Sequence, residues 1–280
     1  MPTFSTPEPI PATIDLAAGD VRVLASDRSD TVVEVRPSTS SLEPDAKAAE
    51  QTKVEYTAAG LLIKGPRQRS LGPRKIGSVD VTVELPAGSQ IEAEAGIGAL
   101  RFSGQLGKCQ AKIGAGSIDV EAAGPVDLHA GAGAITVDHV SGHAEITTGS
   151  GRLRVSHVDG SAMIKNSNGD TWVGTVTSDV RVSAANGAID IGSAGADVTA
   201  SSANGAIRVD DLTRGSASLK TSMGEIQFGV HAGTAAKIDA YTRFGAVRNA
   251  MDRADSPEVT DEVLEVHART SFGDIVIRRS

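Results

Sequence analysis

Hydrophobic and polar residues alternate along most of this chain, and glycine interrupts the alternation at a regular interval. A Gly-x-apolar-x-apolar unit recurs with steps of 17 to 19 residues between successive glycines. These glycines are Gly98, Gly116, Gly133, Gly151, Gly169, Gly187, Gly205 and Gly224. Each repeat also holds a second alternating stretch, such as Val126–Ala130 or Val180–Ala184. Strict alternation predicts β-strands with one buried face and one solvated face.

Two strands and two glycine corners account for one repeat, so each repeat predicts one coil of a parallel β-solenoid with ~18 residues per coil. The usual hand of β-crossovers predicts a right-handed coil. A left-handed hexapeptide solenoid is excluded, because it needs an aliphatic residue at every sixth position. The sequence instead has intervals of two, six and two in one coil, at Ile118, Val120, Val126 and Leu128.

The predicted fold is therefore all-β: a single-domain right-handed parallel β-solenoid with irregular N- and C-terminal coils. Its predicted inward pairs are Ile118/Val120, Ile135/Val137, Leu153/Val155, Ile189/Ile191 and Ile207/Val209. We expect irregular coils and a cap over 1–90, the regular solenoid over 91–248, and an acidic loop with a C-terminal capping coil over 249–280.

The first region contains four strand-like stretches, one stretch that favours a short helix and a basic loop. The strand-like stretches are 31–35, 54–56, 61–64 and 79–85; the helix falls at 45–50 and the loop at 65–75. In the last region, residues 249–263 are acidic and break the period.

Asparagine recurs at one corner of the predicted coil. Asn168, Asn186 and Asn204 are 18 residues apart, and each directly precedes a repeat glycine. Stacked amides can form hydrogen bonds along the axis, as they do in cross-β ladders. The pattern favours a structural ladder, with a polar ligand groove at that corner as the alternative.

Composition and charge narrow the function classes. Aromatic residues make up only 3% of the chain and glycine contributes 31 residues, which favours a narrow interior of small side chains. The net charge of −8 works against nucleic-acid binding, which needs concentrated Lys and Arg. No run approaches the roughly 18 apolar residues of a membrane helix, so no membrane insertion is expected. The opening residues lack a signal-peptide pattern, which makes the cytoplasm the expected location.

Three segments resemble a known group of proteins. Gly19–Val23, Val79–Gly88 and Thr270–Ile277 are similar to segments of bacterial β-strand-repeat proteins of unknown function that are often labelled candidate adhesins. The resemblance covers nearly the whole chain and implies a parallel β-solenoid. It carries over no catalytic residue.

Candidate chemistry is sparse. Asp127 and Glu145 are 18 residues apart and could form a carboxylate pair of a retaining glycosidase. Their column lacks sugar-stacking aromatics, so a solvated face is favoured. His139 and His157 have the same spacing and could bind a metal, although that spacing is simply the repeat period. Cys109 falls in an inward column and is expected to be buried. We therefore predict no catalytic residue, no metal site and no cofactor.

One outward column surrounds the single tryptophan. It runs through Arg101, Asp119, Thr136, Arg154, Trp172, Asp190, Arg208 and Gln227. Arg154 is expected to lie over the indole of Trp172, either as part of a charge ladder or as a partner-docking patch. The function predicted from these features is a non-enzymatic cytoplasmic interaction or scaffold protein with a protein partner. The alternatives are an exported adhesin-like protein and a carbohydrate-active enzyme on a β-helix.

The ends of the predicted solenoid suggest how the chain associates. Four prolines within the first eleven residues cannot donate to a ladder, and Arg278-Arg279-Ser280 is expected to place charge on the final edge. We therefore expect a monomer or a side-to-side dimer and no filament.

Overall fold

The structure of this protein is a computed structural model, and it describes residues 1–66, 77–251 and 263–280. Most of the predicted basic loop and acidic segment lies outside these residues. Contacts divide the chain into two units, Met1–Ser141 and Gly142–Ser280. The two are described in turn. The three predicted regions stay a prediction.

The first unit consists of eleven strands and one helix among its described residues. They are β1 (Thr3–Ser5), β2 (Pro11–Ala18), β3 (Val21–Ser26), β4 (Asp30–Pro37), α1 (Glu43–Gln51), β5 (Lys53–Thr57), β6 (Gly60–Lys64), β7 (Val79–Pro86), β8 (Gln90–Gln105), β9 (Cys109–Ala123), β10 (Val126–Ala132) and β11 (Ile135–Ser141). The four strand-like stretches and the short helix expected before residue 90 are all present.

Parallel pairing builds the regular coils of the first unit. Strand β9 pairs with β8, β10 and β11, and Cys109 lies beside Ile91 on one side and Val126 on the other. All three side chains are buried. The prediction that Cys109 belongs to an inward column is confirmed.

The first coil of this unit is covered by non-repeat elements. Strand β6 pairs in parallel with β2, and β5 then pairs antiparallel with β6. On the other sheet, β7 pairs with β3, β4 pairs antiparallel with β7, and β1 pairs antiparallel with β4. Helix α1 contacts β4 and β7. We call β1, β4, β5 and α1 the N-terminal cover.

In the described residues of the second unit, the regular elements are fourteen strands. They are β12 (Ala144–Ser150), β13 (Leu153–Asp159), β14 (Ala162–Asn168), β15 (Thr171–Val176), β16 (Val180–Asn186), β17 (Ile189–Ala194), β18 (Val198–Asn204), β19 (Ile207–Leu212), β20 (Gly215–Met223), β21 (Ile226–Val230), β22 (Ala235–Phe244), β23 (Val247–Asn249), β24 (Val263–Phe272) and β25 (Ile275–Arg279). Successive coils pair in parallel, as when Leu153 lies beside Thr171 and Thr171 beside Ile189.

Both units bury the alternating apolar residues. Every predicted inward residue from Ile118 to Val209 is at most 2% exposed. The all-β parallel solenoid with ~18-residue coils is therefore confirmed, while the hand of the coil stays a prediction. The repeat glycine is required at the corner: Gly187 has a φ of +133°, and a Cβ there would lie 2.1 Å from the Gly169 carbonyl oxygen.

The stacking order at the end of the second unit differs from the expectation. Strand β24 pairs with β20 on one side and β22 on the other, and β25 pairs with both β21 and β23. The last coil in the sequence, formed by β24 and β25, therefore lies between the coil of β20 and β21 and the coil of β22 and β23. The prediction that Arg278-Arg279-Ser280 forms the terminal edge is wrong.

Hydrophobicity explains this insertion. Strands β24 and β25 present larger inward residues than β22, and their Leu264, Val266, Ile275 and Ile277 are at most 1% exposed. On β22 the inward position beside Leu264 is Ala236, and on β23 the position beside Ile277 is Asn249, so these two strands gain less from an interior place. Arg278 instead contacts Asp210 at 3.0 Å. We call β22 and β23 the open coil, because each pairs on one side only among the described residues.

Candidate functional site

The most distinctive surface feature lies on the outward face of β13, β15, β17 and β19. Arg154 pairs in register with Trp172, and its guanidinium carbon lies 3.8 Å from the centroid of the indole. Trp172 is half-buried, and Arg154 is exposed. This distance is well within the roughly 6 Å range of a cation–π contact. The structure thus brings the two predicted residues together.

Glycine leaves room for the indole beside this contact. A Cβ at Gly174 would lie 3.0 Å from the Cη2 atom of Trp172, so the ring extends over this residue. Gly192 stacks on Gly174 in the next coil, where a Cβ would meet the Gly174 carbonyl oxygen at 2.6 Å. We call Arg154, Trp172, Gly174, Gly192 and Asp190 the tryptophan face. Its floor is backbone rather than side chain.

Asp190 lies beside Trp172 in the next coil and is half-buried. Desolvation raises the pKa of its carboxyl above the usual value; Arg208 opposes the rise, and the charges of Asp210 and Asp170 add to it. Arg208 pairs in register with Asp190 and donates from Nη2 to the Gln227 side-chain oxygen at 2.8 Å. The face therefore combines both charge signs with an aromatic ring.

In the first unit the corresponding column behaves differently. Arg101 and Asp119 are neighbours in register, as predicted. The guanidinium of Arg101 reaches Asp20 at 3.3 Å, while Asp119 accepts a hydrogen bond from the Ser117 hydroxyl at 3.2 Å. These groups form local surface contacts.

The three predicted asparagines form a ladder on the surface. The Asn186 amide donates to the Asn168 side-chain oxygen at 2.9 Å, and Asn204 donates to Asn186 at the same distance. The next residue in this column is Met223, followed by Phe272 and then Phe244. The corner therefore changes from amides to apolar side chains.

That apolar extension was missed from the sequence, although a signal was present. Each of its three residues directly precedes a glycine, as each ladder asparagine does. The rings of Phe244 and Phe272 stack with centroids 4.9 Å apart, and both side chains are more than half exposed.

A second ladder inside the same corner was also missed. Small polar side chains there donate to glycine carbonyls, with Thr221 bonding Gly205 at 3.0 Å and Thr270 bonding Gly224 at 3.0 Å. Asn166 belongs to the same column and is 2% exposed. Its amide donates to the Gly169 carbonyl at 2.9 Å. The signal was the period of about 18 residues between polar residues inside an apolar pattern.

The remaining chemical candidates are surface or core groups. Burial raises the pKa of the Cys109 thiol to about 12, which disfavours the nucleophilic thiolate. His139 belongs to the first unit, and its Nε2 lies 3.3 Å from the Ser141 hydroxyl. His157 belongs to the second unit and lies 2.8 Å from Asp159.

The two carboxylates considered for sugar hydrolysis are exposed. Asp127 lies 3.5 Å from the Gln110 amide. Glu145 pairs in register with Met163, which is followed in the column by Arg181. Within residues 1–66, 77–251 and 263–280, no helix has the length and apolarity needed to cross a bilayer.

The fold and these surface ladders define a repeat protein of the parallel β-solenoid class. The chain belongs to the Toastrack DUF4097 family, whose model matches residues 12–277. A search of curated proteins gives no match. Among solved structures, the chain is similar to a "putative cell adhesion protein" from Clostridium sporogenes. The identity is 10% and the TM-score 0.22, with 100% of this chain and 98% of that chain covered.

Proposed function

We propose that this protein is a non-enzymatic cytoplasmic scaffold that binds a protein partner through the tryptophan face. The observation that carries the proposal is the stacking of Arg154 on Trp172 at 3.8 Å. Tryptophan and arginine are the residue types most often found at binding hot spots, and the pair here is held in place by strand register. A partner that covers it gains a rigid anchor at low entropic cost.

The surroundings of this pair favour a protein surface as the ligand. The backbone floor at Gly174 and Gly192 leaves the indole as the raised feature of the face. Asp190 and Arg208 offer charges of opposite sign one coil apart. Such a mixture of an aromatic centre and a charged rim is the usual anatomy of a protein interface.

The non-enzymatic part of the proposal concerns Asp127 and Glu145. Both are exposed, and the column beyond Glu145 continues with Met163 and Arg181 rather than with aromatic rings that could stack on a sugar. Polysaccharide turnover by the intact chain that is lost in Asp127→Asn and Glu145→Gln would replace this part of the proposal with a glycosidase.

The cytoplasmic part is separated from an exported adhesin-like role by cell fractionation. We expect the chain in the soluble cytoplasmic fraction of its native host. Recovery from the cell surface or the medium would instead favour the exported protein.

Affinity purification from the native host tests the binding face. Trp172→Ala and Arg154→Ala are expected to reduce recovery of a partner at least tenfold, since each removes one half of the stacked pair. Arg181→Ala is the matched control, because Arg181 is an exposed outward residue of β16, outside the tryptophan face. A partner retained equally by all variants with unchanged thermal unfolding would contradict the proposal.

A further inference from the structure

The open coil has unused backbone pairing capacity. Strand β22 is ten residues long and pairs in parallel with β24, and β23 pairs with β25. On the other side of β22 and β23, no strand of the described chain pairs. A free strand edge of this length is a template for another strand.

Within the part of the chain that the structure describes, no element covers the hydrophobic core at this coil. Val247 lies in the column of Ile275, which is 0% exposed, yet Val247 itself is 45% exposed. Ile238 lies beside the fully buried Val266 and is only half-buried. Tyr241 and Phe244 on the same strand are 57% and 54% exposed. A terminal coil of a soluble repeat protein normally has a polar outer face.

We propose that a second copy of this chain covers the open coil, with β22 antiparallel to its equivalent around a two-fold axis at Tyr241. In this register Asp239 of each copy faces Arg243 of the other, which places two opposite-charge pairs beside the axis. Ile238 likewise faces Phe244 of the second copy. The strand is therefore complementary to itself in both charge and apolar character, as a two-fold interface requires.

The same reasoning favours a closed dimer over a filament. Head-to-tail growth needs a second parallel edge of matching register. The first unit instead places antiparallel strands β5 and β1 over its first coil, and the rings of Tyr56 and Phe4 on them meet 5.2 Å apart. A dimer through the open coil is therefore proposed in place of the side-to-side dimer considered above, and the expectation of no filament stays a prediction.

Light scattering on the full chain over a concentration series provides the first test. We expect the mass to rise from one chain to two and then to stop. Arg243→Asp is expected to raise the dissociation constant about tenfold or more, since it sets like charges opposite each other twice. Arg181→Asp, an exposed charge reversal on β16, is the control and should leave the constant unchanged.

Cross-linking provides a test that does not depend on affinity. Residues directly opposite in an antiparallel pair have Cα atoms about 4.5–5.5 Å apart, which suits a disulfide. Tyr241→Cys should therefore form a covalent dimer under mild oxidation. Met223 is similarly exposed, at 53% against 57% for Tyr241, but it lies away from the axis, so Met223→Cys should not form a covalent dimer. The natural Cys109 is 0% exposed and should therefore not form a disulfide with another chain.

Each other outcome overturns the proposal. If the chain stays monomeric at every concentration, the open coil does not bind a second copy, and a strand from another protein becomes the candidate to cover it. Growth beyond two chains means that the interface is not two-fold. Equal cross-linking of the two cysteine variants means that collision, rather than pairing, brings the chains together.

Discussion

The first coil of the first unit and the open coil of the second unit are both built from strands that alternate apolar and polar residues. Among the described residues, further elements cover the first coil but not the open coil. In the first unit Ile63 is 0% exposed, because β5 pairs against its strand and the N-terminal cover closes the end. In the second unit Val247 holds the equivalent kind of inward position and is 45% exposed. The alternating pattern is thus sufficient to build a coil but not to finish a stack.

The difference lies in sequence that does not follow the repeat. The cover uses antiparallel strands and a helix, whose residues interrupt the 18-residue period. Antiparallel strands and a helix also present no continuation of the parallel register to another molecule. Protection of an end therefore depends on the non-repeat segments, whereas the stability of each inner coil depends on its neighbours.

The largest expected difference between these two regions is the cost of removing a core side chain. Ile63→Ala should lower the free energy of unfolding by about 4 kcal/mol, because the cavity forms in a closed part of the core. Ile238→Ala should lower it by only about 1 kcal/mol, because that side chain is half-buried. Denaturant melts of both variants, at a protein concentration low enough for the chain to be monomeric, measure the difference, and equal losses there would mean that Ile238 is covered within a single chain.

A smaller difference is expected for two glycines with positive φ. Gly60, the first residue of β6, has a φ of +115°, and a Cβ there would lie 2.2 Å from the Pro11 carbonyl oxygen. Gly60→Ala should cost about 3 kcal/mol from strain and overlap. Gly233, just before β22, has a φ of +87° with nothing within 4 Å of its Cβ position.

Gly233→Ala serves as the matched control, since only the backbone strain remains. Its expected cost is about 1 kcal/mol. Thermal unfolding at one pH compares the two variants. A cost for Gly233→Ala as large as that for Gly60→Ala would show a close neighbour at the start of the open coil.

The coils themselves were predictable because period and alternation are properties of local sequence. Strand positions, inward pairs such as Ile189/Ile191 and the burial of Cys109 all follow from counting along the repeat. The order of the last two coils was not predictable in that way. It depends on which segment, 235–249 or 263–279, gains more from burial, and the two compete for the same place in the stack.

For the candidate site, the sequence predicted which residues are neighbours. Register placed Arg154 beside Trp172, but the space that lets the indole extend over Gly174 depends on side-chain conformation. The apolar corner at Phe244 and Phe272 could be found only after the coil order was known.

Two buried or partly buried aspartates extend the comparison to hydrogen bonding. Asp45 of α1 is 5% exposed and accepts from the backbone N–H groups of Thr39 and Ser78 at 3.1 and 3.0 Å. Asp45→Ala should cost about 2 kcal/mol, since the two backbone donors that α1 holds, at Thr39 and Ser78, lose their acceptor. Asp274 accepts from the Ala246 N–H at 2.9 Å in the turn before β23.

Asp274→Ala is expected to cost about 1 kcal/mol or less, because water can replace the carboxylate at this half-buried position. Chemical denaturation of the two variants gives the ratio. The comparison fails if removal of Asp274 costs as much as removal of Asp45.

The smallest expected difference concerns acid and salt. The Arg28 hydrogen bond lowers the pKa of Asp30 in the first unit, and the Arg269 hydrogen bond lowers that of Asp239 in the open coil. A carboxyl with a lowered folded pKa stabilises fully above its unfolded value of 3.8 and loses this contribution as the pH falls through the folded value. Arg28→Gln and Arg269→Gln should therefore lower the unfolding midpoint slightly at neutral pH and converge with the parent chain in strong acid.

Salt separates these two ion pairs. The Arg28 side chain is 18% exposed, whereas that of Arg269 is 44% exposed, so salt should screen the open-coil pair more strongly. At neutral pH, molar salt is expected to abolish the effect of Arg269→Gln and to leave part of the effect of Arg28→Gln. Thermal melts at low and high salt provide the measurement. In protein dilute enough to be monomeric, an Arg269→Gln effect that resists salt would contradict this expectation, whereas resistance that appears only at higher protein concentration is what a second copy over the pair would cause.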